Sequence, residues 1–191
     1  MSRPRRLPKV LSHEEQARLV AQFATRYPSP HRNLCLVRIM LEAGLRVGEV
    51  VALKPEHIEM LSCKLMVREG KGAKDRVLWI GDDLRDLIGA WLERRPKSVW
   101  LFPTRQGTQV QTRYVRQMVK RVARKAGVSE VERVSPHALR HSFATNLYSE
   151  TKSLLLVQKA LGHAYVSTTQ IYCHLVDDEL EAAMRERPKV S

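Results

Sequence analysis

Apolar residues recur at helical spacing along most of the chain, and the polar residues between them mark the starts and stops. Ser12 and Glu15 fit a capping box, which predicts a helix from there to about Thr25. Tyr27 to Pro30 reads as a break. A second helix is expected over about His31–Glu42, with Leu34, Val37, Ile39, Met40 and Leu41 apolar, and Gly44 ends it. A short helix over about Val47–Leu53 stops before Pro55. The period then changes. Lys64–Arg68 and Arg76–Ile80 read as short strands around the turn GKGAKD, with a partner near His57–Leu61. Asp82–Arg94 is helical, WLFPTRQG is a loop or short strand, and Thr112–Ala126 is a strongly amphipathic helix. Ser135-Pro136 places serine at an N-cap and proline in a first turn. Helices follow at about 136–149, 153–161, 167–174 and 177–187. The expected class is mostly α (α+β), with one small antiparallel sheet and no internal repeat.

Composition narrows this picture without changing it. The chain has 191 residues, 43% of them hydrophobic and 28% charged, which suits one domain with a real core. No apolar run reaches the ~20 residues of a membrane helix, so no membrane partner is expected. The basic N-terminus lacks a following apolar stretch, so no signal peptide is read. Cys35, Cys63 and Cys173 are odd in number and widely spaced. That suits a reducing cytoplasm and argues against a structural zinc site. Charge changes the picture more. Lys plus Arg is 33 against 20 for Asp plus Glu, a formal net charge of +13. A fold this basic attracts polyanions, with nucleic acid the first candidate and a merely basic surface the plainer one.

Four segments carry candidate chemistry. EAGLRVGEV sets Arg46 just after Gly44, with Glu49 placed to orient its guanidinium; a simple i,i+3 surface pair is the plainer reading. GKGAKDR puts Lys71 between two glycines at a hairpin tip, without P-loop spacing, and Lys74 competes for any role. SPHALRH places His137 and Arg140 on one helical face near a helix start, where backbone N–H groups favour an anion. His141 invites a metal reading, but Ala138 stands where a zinc-protease pattern needs glutamate, so no metal ligand is assigned. LGHAYVSTTQIY carries His163 past a helix end and Tyr172 on the next helix. A phenol with a pKa near ~10 is a poor nucleophile unless assisted, so Tyr172 alone reads as packing.

Together these residues match one problem, the breaking of a phosphodiester without a metal. Arg46 and Arg140 can fork onto phosphate oxygens, Lys71 can protonate a leaving 5′-oxygen, and His137 can accept a proton from the attacking phenol.

The order GLRVGE (44–49), GKGAKDR (70–76), HALRHSFAT (137–145) and LGHAYVSTTQIY (161–172) resembles the tyrosine recombinase, or phage-integrase, family, of the Xer-like or short fimbrial-invertase-like kind. The resemblance covers roughly Ser12 to the end, with Gly48 where many members have serine. It implies that Arg46 and Arg140 clamp the phosphate, Lys71 is the general acid and His137 the proton acceptor. His163 would be a second ligand of the phosphate or tyrosine, and Tyr172 the nucleophile of a 3′-phosphotyrosine link. It implies site-specific recombination of double-stranded DNA with no cofactor, by a homotetramer on paired sites that is a monomer without DNA, in a prokaryotic, nucleoid-associated setting. Residues 1–11 then form a basic arm, 12–175 the catalytic domain, and 176–191 a tail that exchanges between protomers. Most members add an N-terminal helical domain, so the chain is expected to be either a fragment or a short natural form. A type IB topoisomerase-like enzyme and a non-catalytic DNA-binding regulator are the alternatives. Arg113, Arg116, Lys120 and Arg124 line one face of the 112–126 helix and are expected to approach DNA; a merely solvated charged face is equally open.

Overall fold

The computed structural model describes residues 9–68 and 75–162. The chain order is α1 (His13–Val20), α2 (Pro28–Glu42), α3 (Val47–Val51), β1 (Ile58–Glu59), β2 (Lys64–Val67), β3 (Arg76–Trp79), α4 (Asp82–Leu92), α5 (Thr112–Lys125), α6 (Pro136–Thr151) and α7 (Leu154–Leu161). The molecule is therefore mostly helical with one small antiparallel sheet, ordered β1-β2-β3. The turn GKGAKD falls largely outside the described residues. The helices expected at 167–174 and 177–187, and the tail 176–191, fall wholly outside them.

α2 is the central strut. It is buried from His31 to Val37 and again from Ile39 to Leu41, so it is surrounded by protein rather than lying on a surface. α4 and α6 pack against it. The helix starts at Pro28, three residues before the expected position, and the prolines read as a break form its first turn. There the missing N–H groups cost nothing, because first-turn donors have no partner inside the helix. Conversely, α1 stops at Val20 rather than Thr25. Its Ser12–Glu15 capping box is present in both directions.

β2 and β3 pair with Leu65 opposite Leu78 and Val67 opposite Arg76. Leu65, Val67 and Leu78 face the core, while Val77 and Trp79 are exposed. α6 and α7 close the end of the fold through Ala144, Tyr148, Val157 and Leu161.

Lys9–Leu11, expected to belong to a free arm, pack on the domain. Leu11 is buried, and its N–H donates to Ser142 Oγ at 2.8 Å. Lys9 pairs with Glu15 at 3.0 Å. Burial alone would raise the Glu15 pKa. Hydrogen bonds from the Ser129 hydroxyl and N–H, and from Lys9 and Ser12, outweigh it and bring the value to about 2.

Candidate active site

The site is built where α2 ends. Gly44 takes a left-handed φ of +64°, and a Cβ there would lie 2.2 Å from the Phe143 ring. Only glycine lets the chain turn this close to α6. The turn delivers Arg46 to the N-cap of α3. Glu49 sits one helical turn on and reaches back, accepting from the Arg46 N–H at 2.7 Å and from Arg46 Nη1 at 2.8 Å.

Glu49 does more than the surface pair allowed by the sequence. Its side chain is 10% exposed, and it also accepts from Arg76 Nη2 at 2.9 Å and Nη1 at 3.1 Å. Arg140 Nη1 lies 3.8 Å away. One carboxylate thus gathers three guanidiniums from α3, β3 and α6. Burial pushes the Glu49 pKa up, but the hydrogen bonds and charge of Arg76 and the hydrogen bonds from Arg46 outweigh it, and the carboxyl stays well below the usual range. Arg46 keeps 45% of its side chain exposed, so the cluster presents a cation outward.

Arg140 is buried. It donates from Nη1 to Gly44 O at 2.5 Å and from Nη2 to Leu161 O at 2.7 Å. Arg76 Nε donates to Ala160 O at 3.1 Å. Both guanidiniums therefore cap the C-terminal carbonyls of α7, where the helix dipole favours cations. Gly162 follows with φ +66°, and a Cβ there would lie 3.0 Å from Arg76.

Arg76, the last residue of GKGAKDR, is a member of the site that the motif alone does not reveal. The signal was present in the strand period: Arg76 alternates in step with Leu78, which faces the core.

His137 is in the first turn of α6, behind the Ser135 cap, whose Oγ accepts from the Ala138 N–H at 3.3 Å. Its pKa lies below the ordinary histidine value, first because surrounding protein removes water from it, then because of the Arg140 charge. Its Nε2 lies 2.8 Å from Nε2 of buried His141, with the rings at 82°. One of these ring nitrogens donates and the other accepts, according to the tautomers. No cluster of three metal-ligating side chains occurs among the described residues. Lys71, His163 and Tyr172 lie outside the described residues.

α5 buries Val115, Met118, Val119 and Ala123 and turns Arg113, Arg116 and Arg124 outward. Lys120 bonds to Glu132, which Arg124 also meets at 3.2 Å. No described helix is long and apolar enough to cross a membrane.

The sequence signature of the phage integrase family matches residues 9–179, and the chain belongs to that family. It is 40% identical to tyrosine recombinase XerA of Thermococcus kodakarensis, over 96% of this chain and 64% of the relative. It is 37% identical to tyrosine recombinase XerD of Caulobacter vibrioides, over 92% of this chain and 60% of the relative. The chain thus spans about six-tenths of the length of these curated relatives. Its fold is similar to a crystal structure of XerA recombinase, with a TM-score of 0.81, 33% identity, and 98% of this chain and 68% of that one covered. It is equally similar to the XerH site-specific recombinase bound to palindromic difH substrate in a post-cleavage complex, with a TM-score of 0.81, 31% identity, and 95% and 54% covered.

Proposed function

We propose that this chain breaks and rejoins double-stranded DNA at specific sites through a phosphotyrosine intermediate. The observation that carries this reading is the Glu49 cluster, in which Arg46 and Arg140 are held around one ionised carboxylate. Preorganised guanidiniums stabilise the charge that builds on phosphate oxygens during in-line displacement, typically by about 10²–10³ in rate per donor. The relatives named above are recombinases, and one is described on its substrate.

In the proposed step the Tyr172 oxygen attacks phosphorus. The P–O5′ bond breaks as the P–O(Tyr) bond forms, leaving a 3′-phosphotyrosine. Lys71 gives a proton to the leaving 5′-oxygen. His137 takes the phenolic proton, and its lowered pKa keeps it neutral for that task at neutral pH. When His137 donates Nε2–H to His141, its Nδ1 lone pair is the acceptor. His163 binds the phosphate or the tyrosine. An incoming 5′-hydroxyl reverses the step on a new partner strand. The scheme uses no metal and no cofactor. The functional unit is a tetramer on two sites, with the segment after Tyr172 docking on a neighbour, and the setting is cytoplasmic and nucleoid-associated.

The test is a nicked suicide duplex carrying the cognate site. The wild-type chain should form a covalent adduct that survives denaturation and EDTA, and Tyr172→Phe should form none. An adduct in Tyr172→Phe sinks the assignment. Relaxation of supercoiled plasmid lacking the site favours a topoisomerase instead.

A further inference from the structure

A second basic feature lies away from the Glu49 cluster. A cleft of about 480 Å³ opens between the start of α2, the loop after Phe102 and the start of α5. Two arginines, Arg32 and Arg105, line it with threonines, glutamines and Tyr114, and no carboxylate among the described residues does.

Arg32 is the unusual member. It is 5% exposed. Its Nη1 donates to Pro103 O at 3.0 Å, its Nε and Nη2 to Asn33 Oδ1 at 3.2 and 3.0 Å, and its Nη2 to Tyr114 Oη at 3.2 Å. Among the described residues its acceptors are a carbonyl, an amide and a phenol, none of them a carboxylate, and burial pulls its pKa down while Tyr114 opposes that. A buried cation satisfied only by neutral groups keeps a charge with nothing to balance it, and a nearby anion lowers that cost. Asn33 Nδ2 also donates to Tyr114 Oη, at 2.9 Å. With two donors already on its oxygen, the Tyr114 hydroxyl has its own proton left to give. Arg105 stands exposed on the rim. The described lining therefore offers cations and donors to an anion and sets no carboxylate against it.

We infer that this cleft seats a backbone phosphate of the DNA, distinct from the reacting one. The inference rests on the DNA reading proposed above. From Arg32 to Glu42 the helix rises about 15 Å at 1.5 Å per residue, so one phosphate cannot touch both this cleft and the Gly44 end. Exposed Arg113 and Arg116, on the first turns of α5, continue the positive surface beyond the Tyr114 wall.

The test uses the full chain and a labelled duplex, with Kd measured across a salt series. Replacing Arg32 risks the fold, so Arg105→Gln and Tyr114→Phe are compared with wild type, with melting temperatures as the folding check. Loss of one seated phosphate reduces the slope of log K against log salt by about 0.9 in Arg105→Gln. Tyr114→Phe should weaken binding equally on unrelated duplex sequences, as a phosphate contact does. Unchanged Kd and slope in both folded variants overturn the inference. So does inorganic phosphate that binds wild type but not Arg105→Gln while the duplex slope stays the same, since that marks a free-phosphate site. Covalent adduct formation by wild type is scored separately. An adduct with no change of slope defeats only the cleft, and a changed slope without an adduct defeats only the enzyme.

Discussion

Glu49 is the residue on which the site turns. A carboxylate with 10% of its side chain exposed is stable only because cations surround it. Glu49→Gln removes the anion that Arg46, Arg76 and Arg140 share, and the expected cost is about 3 kcal/mol in urea unfolding at pH 7. The same residue sets a pH dependence. Its folded-state pKa is below the unfolded one, so its contribution is complete above the ordinary carboxylate range. That contribution is lost as pH falls through the lowered value. The difference in urea midpoint between wild type and Glu49→Gln should therefore shrink as pH is lowered from 6 towards 2; a constant difference would show that the charge is not what matters. The sequence offered this residue as an arginine's partner three positions away. It could not show that Arg76 and Arg140 converge on the same oxygens, because strand and helix meet there only in three dimensions.

At the scale of elements, the turn after α2 is the sensitive point. Gly44→Ala forces a left-handed backbone on an L-residue and drives a methyl group into Phe143. Strain and overpacking together should cost about 3 kcal/mol, read as a lower denaturant midpoint with an unchanged m-value. Replacing Gly48, which has open space where a Cβ would go, should cost far less. Element legibility followed local chemistry. The α1 capping box, the glycine stop and the β2–β3 hairpin were readable because each depends on neighbours in sequence. The start of α2 is not legible locally, because proline breaks a helix interior but suits a first turn, and only packing around His31–Leu41 says which applies.

For the whole molecule, the +13 charge sets a general attraction to polyanions, and intramolecular pairing decides where that charge is available. Glu132, in the turn after α5, already binds Lys120 and Arg124 of that helix, and these two cations hold its carboxyl below the usual range. Glu132→Gln should free both for phosphates. Duplex affinity should rise, and the salt slope should steepen by up to about 0.9 for each phosphate gained. An unchanged slope would mean that this end of α5 faces away from DNA.

The sequence by itself determined the helix-rich class, the small sheet, the basic charge and the family signature, since these reside in local periodicity, caps and ordered motifs. Tertiary structure decided which polar groups are in contact: Arg76 joining Glu49 to the end of α7, His141 hydrogen-bonded to His137, and Arg32 buried with no acid on it among the described residues. Such pairings depend on distances between elements remote along the chain, and these are settled by packing around α2 rather than by any local pattern.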